Sequence, residues 1–348
     1  MTERYSNTDF KTAADSPFGR FESAVAAVGG YMYIWGGHHE PELACTDQGY
    51  RYDPVADTWT RIADYPVEIS HVTAAVIDDR YIWVVGGFEG KHPGTAVAES
   101  YRYDTTNDTW SEGPPLPKAR GSGGLASING RLHYFGGLHP DRMTNSEEHW
   151  VLDPNGGKNW ESLRPMPEAR THSSTAVFNG GIYAIGGHYG HDDPQNPGSI
   201  VGDDLDFVHH YDPESDTWTD RHPLPYRRSH CEAGTFVHDG RIYCAGGRSV
   251  TKFGDLLRED RPLLTRLRRI ALKVRHRMSA NMLPSMVDDV LCYDPAKDHW
   301  AKVGRMGQQL YCPSAVCIDG EMILTGGGGH GWQEPSKRTI RLKLDTLS

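Results

Sequence analysis

A pair of glycines follows a short apolar segment six times along the chain, and this repetition limits the possible folds more than any other feature. The pairs end at Gly37, Gly87, Gly137, Gly187, Gly247 and Gly327. After five of them comes a segment ending in aspartate, at Asp53, Asp104, Asp153, Asp212 and Asp294, and then a tryptophan, at Trp59, Trp110, Trp160, Trp218 and Trp300. Internal similarity at such intervals is typical of repeat architectures.

Each repeat predicts a sheet of four short strands. Gly-Gly, Asp-Pro and Pro-rich turns such as "PLPKAR" and "PMPEAR" separate the strand-like segments. A lone four-stranded sheet cannot bury both of its faces, whereas a ring of such sheets buries each face against the next sheet. We therefore predict an all-β chain whose sheets close into a ring.

The ordered set of Gly-Gly, Tyr-Asp-Pro and Trp resembles the kelch family of β-propellers over essentially the whole chain. The resemblance implies a six-bladed propeller of four-stranded blades, as one domain over residues 1–348. The sixth repeat lacks its last strand. We expect residues 5–12 to supply it, with Phe10 in place of the tryptophan and residues 1–20 as closing strand and loop, because closure removes open sheet edges.

Composition and charge exclude several classes of protein. A formal charge of −10 over 348 residues argues against a nucleic-acid partner, which needs a basic face. No apolar run approaches the roughly 20 residues that cross a bilayer. The first twenty residues are polar, which argues against a secretory signal, and the six cysteines include no CxxC pair. We expect a cytoplasmic monomer with free thiols.

Histidines concentrate in two sets of loops that should share one rim of the propeller. Directly after the glycine pairs stand His38, Phe88, Leu138, His188, Arg248 and Gly328, and the innermost strands open with Glu22, His71, Ser122, His172, His230 and Cys312. In the kelch family this rim usually binds ligands and peptides. Glu22, His71, His172 and His230 are therefore our candidate acid–base residues, although a histidine here could equally orient neighbouring loops.

The loop "HYGHDDPQNPG" (188–198) is longer than its counterpart in the first repeat and rich in metal-ligand side chains. Together with neighbouring ring histidines it predicts a Zn²⁺, Fe²⁺ or Mn²⁺ site formed by His172, His188, His191, Asp192 and His230. The alternative is a merely soluble, turn-forming loop. Plant specifier proteins resemble the chain in fold and hold iron on a rim loop, but their Glu-x₃-Asp-x₃-His pattern is absent.

A basic insertion follows the fifth glycine pair, at about residues 248–288. Apolar residues at helical spacing predict an amphipathic helix over 261–278. The insertion could form a lid over the propeller mouth, a docking helix for an acidic partner or membrane surface, or a simple cover for one side of the disc. The cationic and imidazole side chains expected to bind a ligand are His38, Arg120, Arg170, Arg228, Arg248, Arg258 and Arg261.

These features predict a standalone propeller that binds a small anionic ligand or a protein partner on its histidine-rich rim, beneath a basic lid. The alternatives are a metal-dependent or acid–base enzyme at the channel mouth, or a sugar epimerase. The last follows from architecture alone: bacterial sialic-acid epimerases resemble this chain as six-bladed kelch propellers with an enlarged blade, without a motif that matches residue by residue. A divalent metal is the cofactor that these alternatives allow.

Overall fold

The computed structural model describes residues 10–39, 43–192, 200–249, 285–328 and 335–347. Regular structure in these residues is β-strand, apart from two short 3-10 turns at Glu232–Gly234 and Leu344–Thr346, so the predicted all-β class is confirmed. They include no helix long and apolar enough to cross a bilayer. The predicted helix over 261–278 lies outside the described residues.

Thirty-one strands are described. The first sixteen are β1 (Lys11–Thr12), β2 (Ala24–Val28), β3 (Tyr31–Trp35), β4 (Gly49–Asp53), β5 (Thr58–Ile62), β6 (Ile69–Ser70), β7 (Thr73–Ile77), β8 (Tyr81–Val85), β9 (Phe88–Glu89), β10 (Thr95–Ala96), β11 (Ser100–Asp104), β12 (Thr109–Gly113), β13 (Gly124–Ile128), β14 (Arg131–Phe135), β15 (His149–Leu152) and β16 (Glu161–Ser162). The remainder are β17 (Ser174–Phe178), β18 (Gly181–Ile185), β19 (His188–Asp192), β20 (Ile200–Asp204), β21 (Val208–Asp212), β22 (Thr217–Asp220), β23 (Thr235–His238), β24 (Arg241–Ala245), β25 (Arg248–Ser249), β26 (Ser285–Met286), β27 (Asp289–Asp294), β28 (His299–Arg305), β29 (Ser314–Ile318), β30 (Glu321–Thr325) and β31 (Thr339–Lys343).

The described strands form six antiparallel sheets of four strands. Their orders are β2-β3-β4-β5, β7-β8-β11-β12, β13-β14-β15-β16, β17-β18-β21-β22, β23-β24-β27-β28 and β29-β30-β31-β1. Smaller sheets, β6-β9-β10, β19-β20 and β25-β26, lie in the connecting loops. The innermost strands β2, β7, β13, β17, β23 and β29 contact one another in chain order, and β29 contacts β2. The sheets therefore surround a common axis.

The last sheet takes its outer strand from the start of the described chain. Lys11 pairs with Arg341 and Thr12 pairs with Ile340, and Ala13 N donates a hydrogen bond to Thr339 O at 3.0 Å. Phe10 packs against the apolar core of this sheet. The pairing expected for the N-terminal segment is thus present at β1, while residues 5–9 lie outside the described residues.

The glycine pairs join neighbouring sheets at close range. Gly37 N donates at 2.8 Å to Ile69 O in β6, the short strand that precedes the second four-stranded sheet. Gly327 N donates to Arg20 O at 2.8 Å across the junction between the last and first sheets. Gly37 has φ of 92°, and a Cβ there would lie 2.6 Å from Phe21 O. Only glycine satisfies both the backbone angle and the approach.

The repeated tryptophans also link neighbouring sheets, and in four of the five an aspartate two residues before the tryptophan adds to the link. Trp59 Nε1 donates to Ala14 O at 2.9 Å, and Asp57 accepts from Ala14 N at 2.8 Å and from Tyr52 Oη at 2.6 Å. Equivalent indole bonds recur at Trp110, Trp160, Trp218 and Trp300. The motif that repeats in the sequence is therefore the set of contacts that holds adjacent sheets together.

Candidate functional site

Six residues, which we call the ring positions, precede the innermost strands at one end of the ring of sheets. They are Glu22, His71, Ser122, His172, His230 and Cys312, and all have positive φ between 46° and 58°. The backbone links them directly, since His71 N donates to Glu22 O at 3.1 Å and Ser122 N donates to His71 O at 2.9 Å, and two further steps are bridged in the same way. This belt offsets the strain of left-handed residues that are not glycine and brings the six side chains around one opening.

The residues directly after the glycine pairs, which we call the rim positions, lie beside the ring positions. His38 forms a β-bridge with Phe21, His188 with Thr171, and Arg248 with Ser229. Each of these partners directly precedes a ring position in the sequence. The two sets of loops therefore emerge at the same end of the sheets.

A cavity of about 670 Å³ opens over the ring positions, and we call it the histidine cavity. Its wall includes Glu22, His38, His71, His92, Arg142, His172, His188, His230, Arg248 and Tyr311. A cavity of this volume is in the size range of small-molecule sites. The cavity therefore gathers imidazoles from four sheets, two guanidinium groups and one deeply buried carboxylate.

Glu22 supplies that carboxylate, and it is 6 % exposed. Its Oε2 lies 2.9 Å from His71 Nε2 and 3.5 Å from His38 Nε2, while Oε1 accepts from Tyr311 Oη at 3.3 Å. Four different segments of the chain thus meet at one carboxylate. Such convergence satisfies a charge that burial would otherwise make costly.

A hydroxyl residue directly before each ring histidine orients its imidazole. Ser70 Oγ lies 2.9 Å from His71 Nδ1, and Thr171 Oγ1 lies 3.2 Å from His172 Nδ1. Thr171 Oγ1 already donates to Ser122 O at 3.2 Å, so it accepts from Nδ1–H of His172. The Nε2 atom of His172 therefore carries the ring's lone pair, and it accepts from Ser122 Oγ at 3.1 Å.

The third ring histidine follows the same rule with a carboxylate added. Ser229 Oγ donates to Asp204 Oδ1 at 2.6 Å and lies 2.5 Å from His230 Nδ1. The ring of His230 stacks on that of His172, with centroids 4.0 Å apart, and on Tyr311 at 4.5 Å. These stacks fix the planes of the imidazoles within the cavity.

Burial keeps these imidazoles uncharged at neutral pH. It lowers the pKa of His71, His172 and His230 well below the ordinary value and lowers the pKa of His38 to about 4, despite the nearby Glu22 carboxylate. Each neutral ring offers one N–H donor and one lone pair. The cavity can therefore donate, accept or ligate through nitrogen without first losing a proton.

One of the two cavity guanidinium groups is already neutralised. Arg248 Nε donates to both carboxylate oxygens of Asp204 at 3.1 Å, and Nη2 lies 2.6 Å from His188 Nδ1. Burial raises the pKa of Asp204, but the charge of Arg248 and the hydrogen bonds from His188 and Arg248 together outweigh burial, so the pKa of this carboxyl lies below its ordinary value. Arg248 and Asp204 form a fixed ion pair in the wall.

Arg142 is the other guanidinium, and the sequence analysis missed it. It lies over the Phe88 ring at 3.6 Å, and its buried Nε and Nη2 atoms have no hydrogen-bond partner among the described residues. The tight turn that presents it is formed by Asp141, which accepts from Met143 N and Thr144 N. That Asp-Arg-Met-Thr turn after the third glycine pair is the sequence signal that could have found it.

The central channel continues beneath the ring positions as a second cavity of about 250 Å³. Glu232 projects into it from the 3-10 turn Glu232–Gly234, and its Oε2 has no hydrogen-bond partner among the described residues. Burial raises the pKa of Glu232 to about 8. The sequence signal is a longer connection: four residues separate His230 from β23, whereas one residue separates Glu22 from β2.

The sequence motifs that build this site identify a protein family. A family model for the KLHDC2/KLHL20/DRC7 Kelch-repeats domain matches residues 1–187, and a Kelch motif model matches residues 169–224. The chain belongs to the kelch-repeat family. The ring and rim positions within residues 1–224 therefore lie in loops of the matched kelch repeats.

Known kelch proteins resemble this chain over part of their length. Kelch-like protein 36 of Bos taurus is 28 % identical over 67 % of this chain and 36 % of its own length, and Kelch-like protein 35 of Mus musculus is 26 % identical over 66 % and 35 %. Kelch-like protein terF of Aspergillus terreus is 30 % identical over 37 % of this chain and 29 % of its own length. The matched region thus spans about a third of these relatives.

A solved structure shares the fold over nearly all of both chains. The structure titled "Structure of YjhT" superposes with a TM-score of 0.72, at 14 % identity, over 95 % of this chain and 97 % of the other. At that identity the likeness concerns the fold alone. It extends the shared fold beyond residue 224, where the matches to the family models end.

The kelch arginines Arg120, Arg170 and Arg228, which we expected to bind a ligand, do not line the histidine cavity. Each is at most 1 % exposed. Arg170 Nη2 donates to Ala184 O at 3.3 Å, Arg228 Nη1 donates to Cys244 O at 3.3 Å, and Arg120 pairs with Glu148. The side chains of Arg170 and Arg228 thus point into their own sheets, where backbone carbonyl groups accept from them.

The other predicted site residues divide into three groups. Glu22, His38, His71, His172, His188, His230 and Arg248 line the histidine cavity. His191 and Asp192 lie on β19, whose backbone pairs with β20, but their side chains are outside the described part of the structure. Arg258 and Arg261 lie outside the described residues altogether.

Proposed function

We propose that this kelch-repeat chain binds a small anionic molecule in the histidine cavity. The observation that carries the proposal is Arg142, a residue of the cavity wall whose guanidinium has two buried nitrogens without acceptors among the described residues. A carboxylate or phosphate group is the natural partner of such a group, since two parallel N–H bonds match its two oxygens.

The charge balance of the wall favours an anion at Arg142 over one at Arg248. Asp204 already neutralises Arg248, whereas no ion pair involves Arg142 among the described residues. Glu22 is the acid whose charge acts on Arg142. Its Oε2 atom contacts His71 and His38, and it forms no ion pair with the Arg142 guanidinium among the described residues. Neutral imidazoles around the cavity would add directional donors and acceptors for hydroxyl groups of the ligand.

We also infer that the six sheets are the blades of one six-bladed propeller and that the basic insertion covers the cavity. Arg248 pairs with Met286 and Ser249 with Ser285, so the insertion leaves and returns beside the cavity wall. Its positive charge would suit an anionic ligand. The helix over 261–278, the ligand contacts of Arg258 and Arg261, the monomeric state and the cytoplasmic location stay predictions.

The test is equilibrium binding of a matched pair of probes, D-glucuronate and the uncharged D-glucuronamide, measured by isothermal titration calorimetry. We expect glucuronate to bind more tightly than the amide. Arg142→Met should weaken glucuronate binding by roughly 10- to 150-fold, the loss of one charge-assisted hydrogen-bonding group. Arg131→Met, at an exposed arginine near Glu161, is the matched control and should change nothing.

Two results would refute the proposal. The first is equal affinity for acid and amide, which would mean that charge is not recognised. The second is an Arg142→Met variant that binds glucuronate as the parent does. A protein partner that inserts an acidic side chain into the cavity would depend on Arg142 in the same way, so competition between glucuronate and such a partner is a further expectation.

An acid–base enzyme is the second candidate, and one observation favours it. The Glu22 carboxylate lies 2.9 Å from His71 Nε2 at the floor of a cavity large enough for a substrate. A carboxylate and an imidazole at this distance can move a proton to and from a bound sugar. Solvent exchange of substrate hydrogens in D₂O, followed by NMR and abolished in Glu22→Gln, would identify such an activity.

A further inference from the structure

We propose that Glu22, His71 and His172 form a site for one divalent transition-metal ion at the floor of the histidine cavity. Each residue offers one ligand atom, and these atoms all lie within 4.8 Å of one another. Two imidazoles and one carboxylate make a ligand set that proteins use for Zn²⁺ and Fe²⁺. The proposal does not depend on the anion bound by Arg142.

The spacing suits a small adjustment around an ion. Ligand atoms about 2.0–2.1 Å from Zn²⁺ in tetrahedral geometry lie about 3.3 Å apart. The Glu22 Oε2 to His71 Nε2 distance of 2.9 Å is slightly shorter, and the 4.8 Å limit of the group is longer. Modest side-chain rotation would bring all three atoms to an ion, because the backbone of the ring positions is fixed by hydrogen bonds.

The hydroxyl residues before the histidines would serve as outer partners of the ligands. Thr171 already fixes the tautomer of His172 that leaves Nε2 with its lone pair. Ser70 Oγ can either donate to or accept from His71 Nδ1, so His71 can turn its Nε2 lone pair to a metal while Nδ1–H donates to the serine. Such outer hydrogen bonds orient metal-binding imidazoles.

This set differs from the one that the sequence analysis predicted, and it shares only His172 with it. His188 lies 2.6 Å from the Arg248 guanidinium, whose positive charge disfavours a metal ion there. His230 lies outside the proposed set, and its ring stacks between those of His172 and Tyr311. A tetrahedral ion on the proposed set would keep one coordination position for water or a ligand in the cavity, and a six-coordinate ion would keep three.

The experiment uses untagged protein stripped with EDTA and titrated with CoCl₂ while visible absorption is recorded, with zinc content measured separately after dialysis. We expect one Co²⁺ or Zn²⁺ per chain in the parent protein. Glu22→Gln, His71→Gln and His172→Gln should each abolish stoichiometric binding. His188→Gln, a histidine of the same cavity outside the set, is the matched control and should retain it.

The proposal fails if the parent protein takes up neither ion, or if His188→Gln loses as much metal as the three ligand variants. Circular dichroism and the melting temperature check that each variant folds. Should a ligand variant unfold, Ser70→Ala decides: we expect about 10- to 100-fold weaker metal binding, and unchanged affinity would overturn the proposal. Arg142→Met should keep the metal, which separates this site from anion binding.

Discussion

The Nε2 atom of His71 lies 2.9 Å from Oε2 of Glu22, although the two residues belong to different repeats and precede the innermost strands of neighbouring sheets. The carbonyl of Glu22 also accepts from the amide of His71 at 3.1 Å. Backbone and side chain therefore link the same two positions. This double contact means that the geometry of these two site residues is set by the junction between the first two sheets.

Replacing a glycine of a Gly-Gly pair should destabilise the protein more than replacing a glycine in an open turn, because the pairs pack closely against neighbouring backbone. We expect Gly37→Ala to destabilise the protein by roughly 2 kcal/mol more than Gly180→Ala. Both glycines have positive φ, at 92° and 77°, but a Cβ on Gly37 meets Phe21 O at 2.6 Å, whereas nothing lies within 4 Å of one on Gly180. Urea unfolding of the two variants measures the difference, and equal losses would contradict it.

Removal of the basic insertion should separate folding from binding. A variant in which a short Gly-Ser linker replaces residues 254–284 should fold, because it keeps β25 and β26, which pair beside the cavity. We expect its melting temperature to stay within a few degrees of the parent value, and its affinity for glucuronate to fall. Calorimetry at one ionic strength is the measurement.

Unchanged affinity in that deletion variant would show that the insertion is not a lid. The control is the parent chain with the same linker residues inserted after Gly156, which tests whether the linker itself alters binding. This glycine has open space around its Cβ position.

Stability should fall as the pH drops below about 6.5, because buried histidines stay neutral in the folded protein. Burial lowers the pKa of His149 to about 4 and that of His133 to about 3, and the two rings share a hydrogen bond of 3.0 Å. Below pH 6.5 these histidines bind protons in the unfolded chain but not in the folded chain. The free energy of unfolding therefore falls by about 1.4 kcal/mol per pH unit for each histidine. Their stabilising contribution is therefore present above pH 6.5 and lost toward pH 4.

The histidine prediction is tested by the slope of the free energy of unfolding against pH between 6.5 and 5. His149→Gln should reduce that slope, since one buried imidazole is gone. Trp218→Phe, which alters a neighbour 5.5 Å from the His149 ring, should lower stability without reducing the slope. An unaltered slope in His149→Gln would count against the prediction.

Glu232 should lower the free energy of unfolding as the pH rises from about 4.5 to 8. Burial raises its pKa to about 8, so its contribution is fully present below the unfolded pKa near 4.5 and is lost as the pH rises through 8. We expect Glu232→Gln to gain stability relative to the parent from pH 5 to pH 8, with no further gain above that. Glu232→Ala should show the same pH dependence, which would assign the effect to the carboxyl group; a difference that does not vary with pH would exclude it.

Much of the site could be predicted from register alone. The sequence places Glu22, His71, His172 and His230 at equivalent positions, and the structure brings these residues around one opening. The arginines could not be assigned in the same way. Arg170 repeats as regularly as His172, but its side chain turns into the sheet to donate to Ala184 O, and repetition carries no information about that direction.

The repeated motifs by themselves determined the four-stranded units, the glycine turns and the end of the sheets at which the histidines collect, because these depend on interactions between residues close in sequence or at a fixed repeat spacing. Only the tertiary structure decided that Arg142 and Glu232 enter the cavities and that Asp204 neutralises Arg248. The physical reason is that these contacts join single, unrepeated loops across different sheets. Their energies depend on burial and charge in three dimensions, which local sequence patterns do not encode.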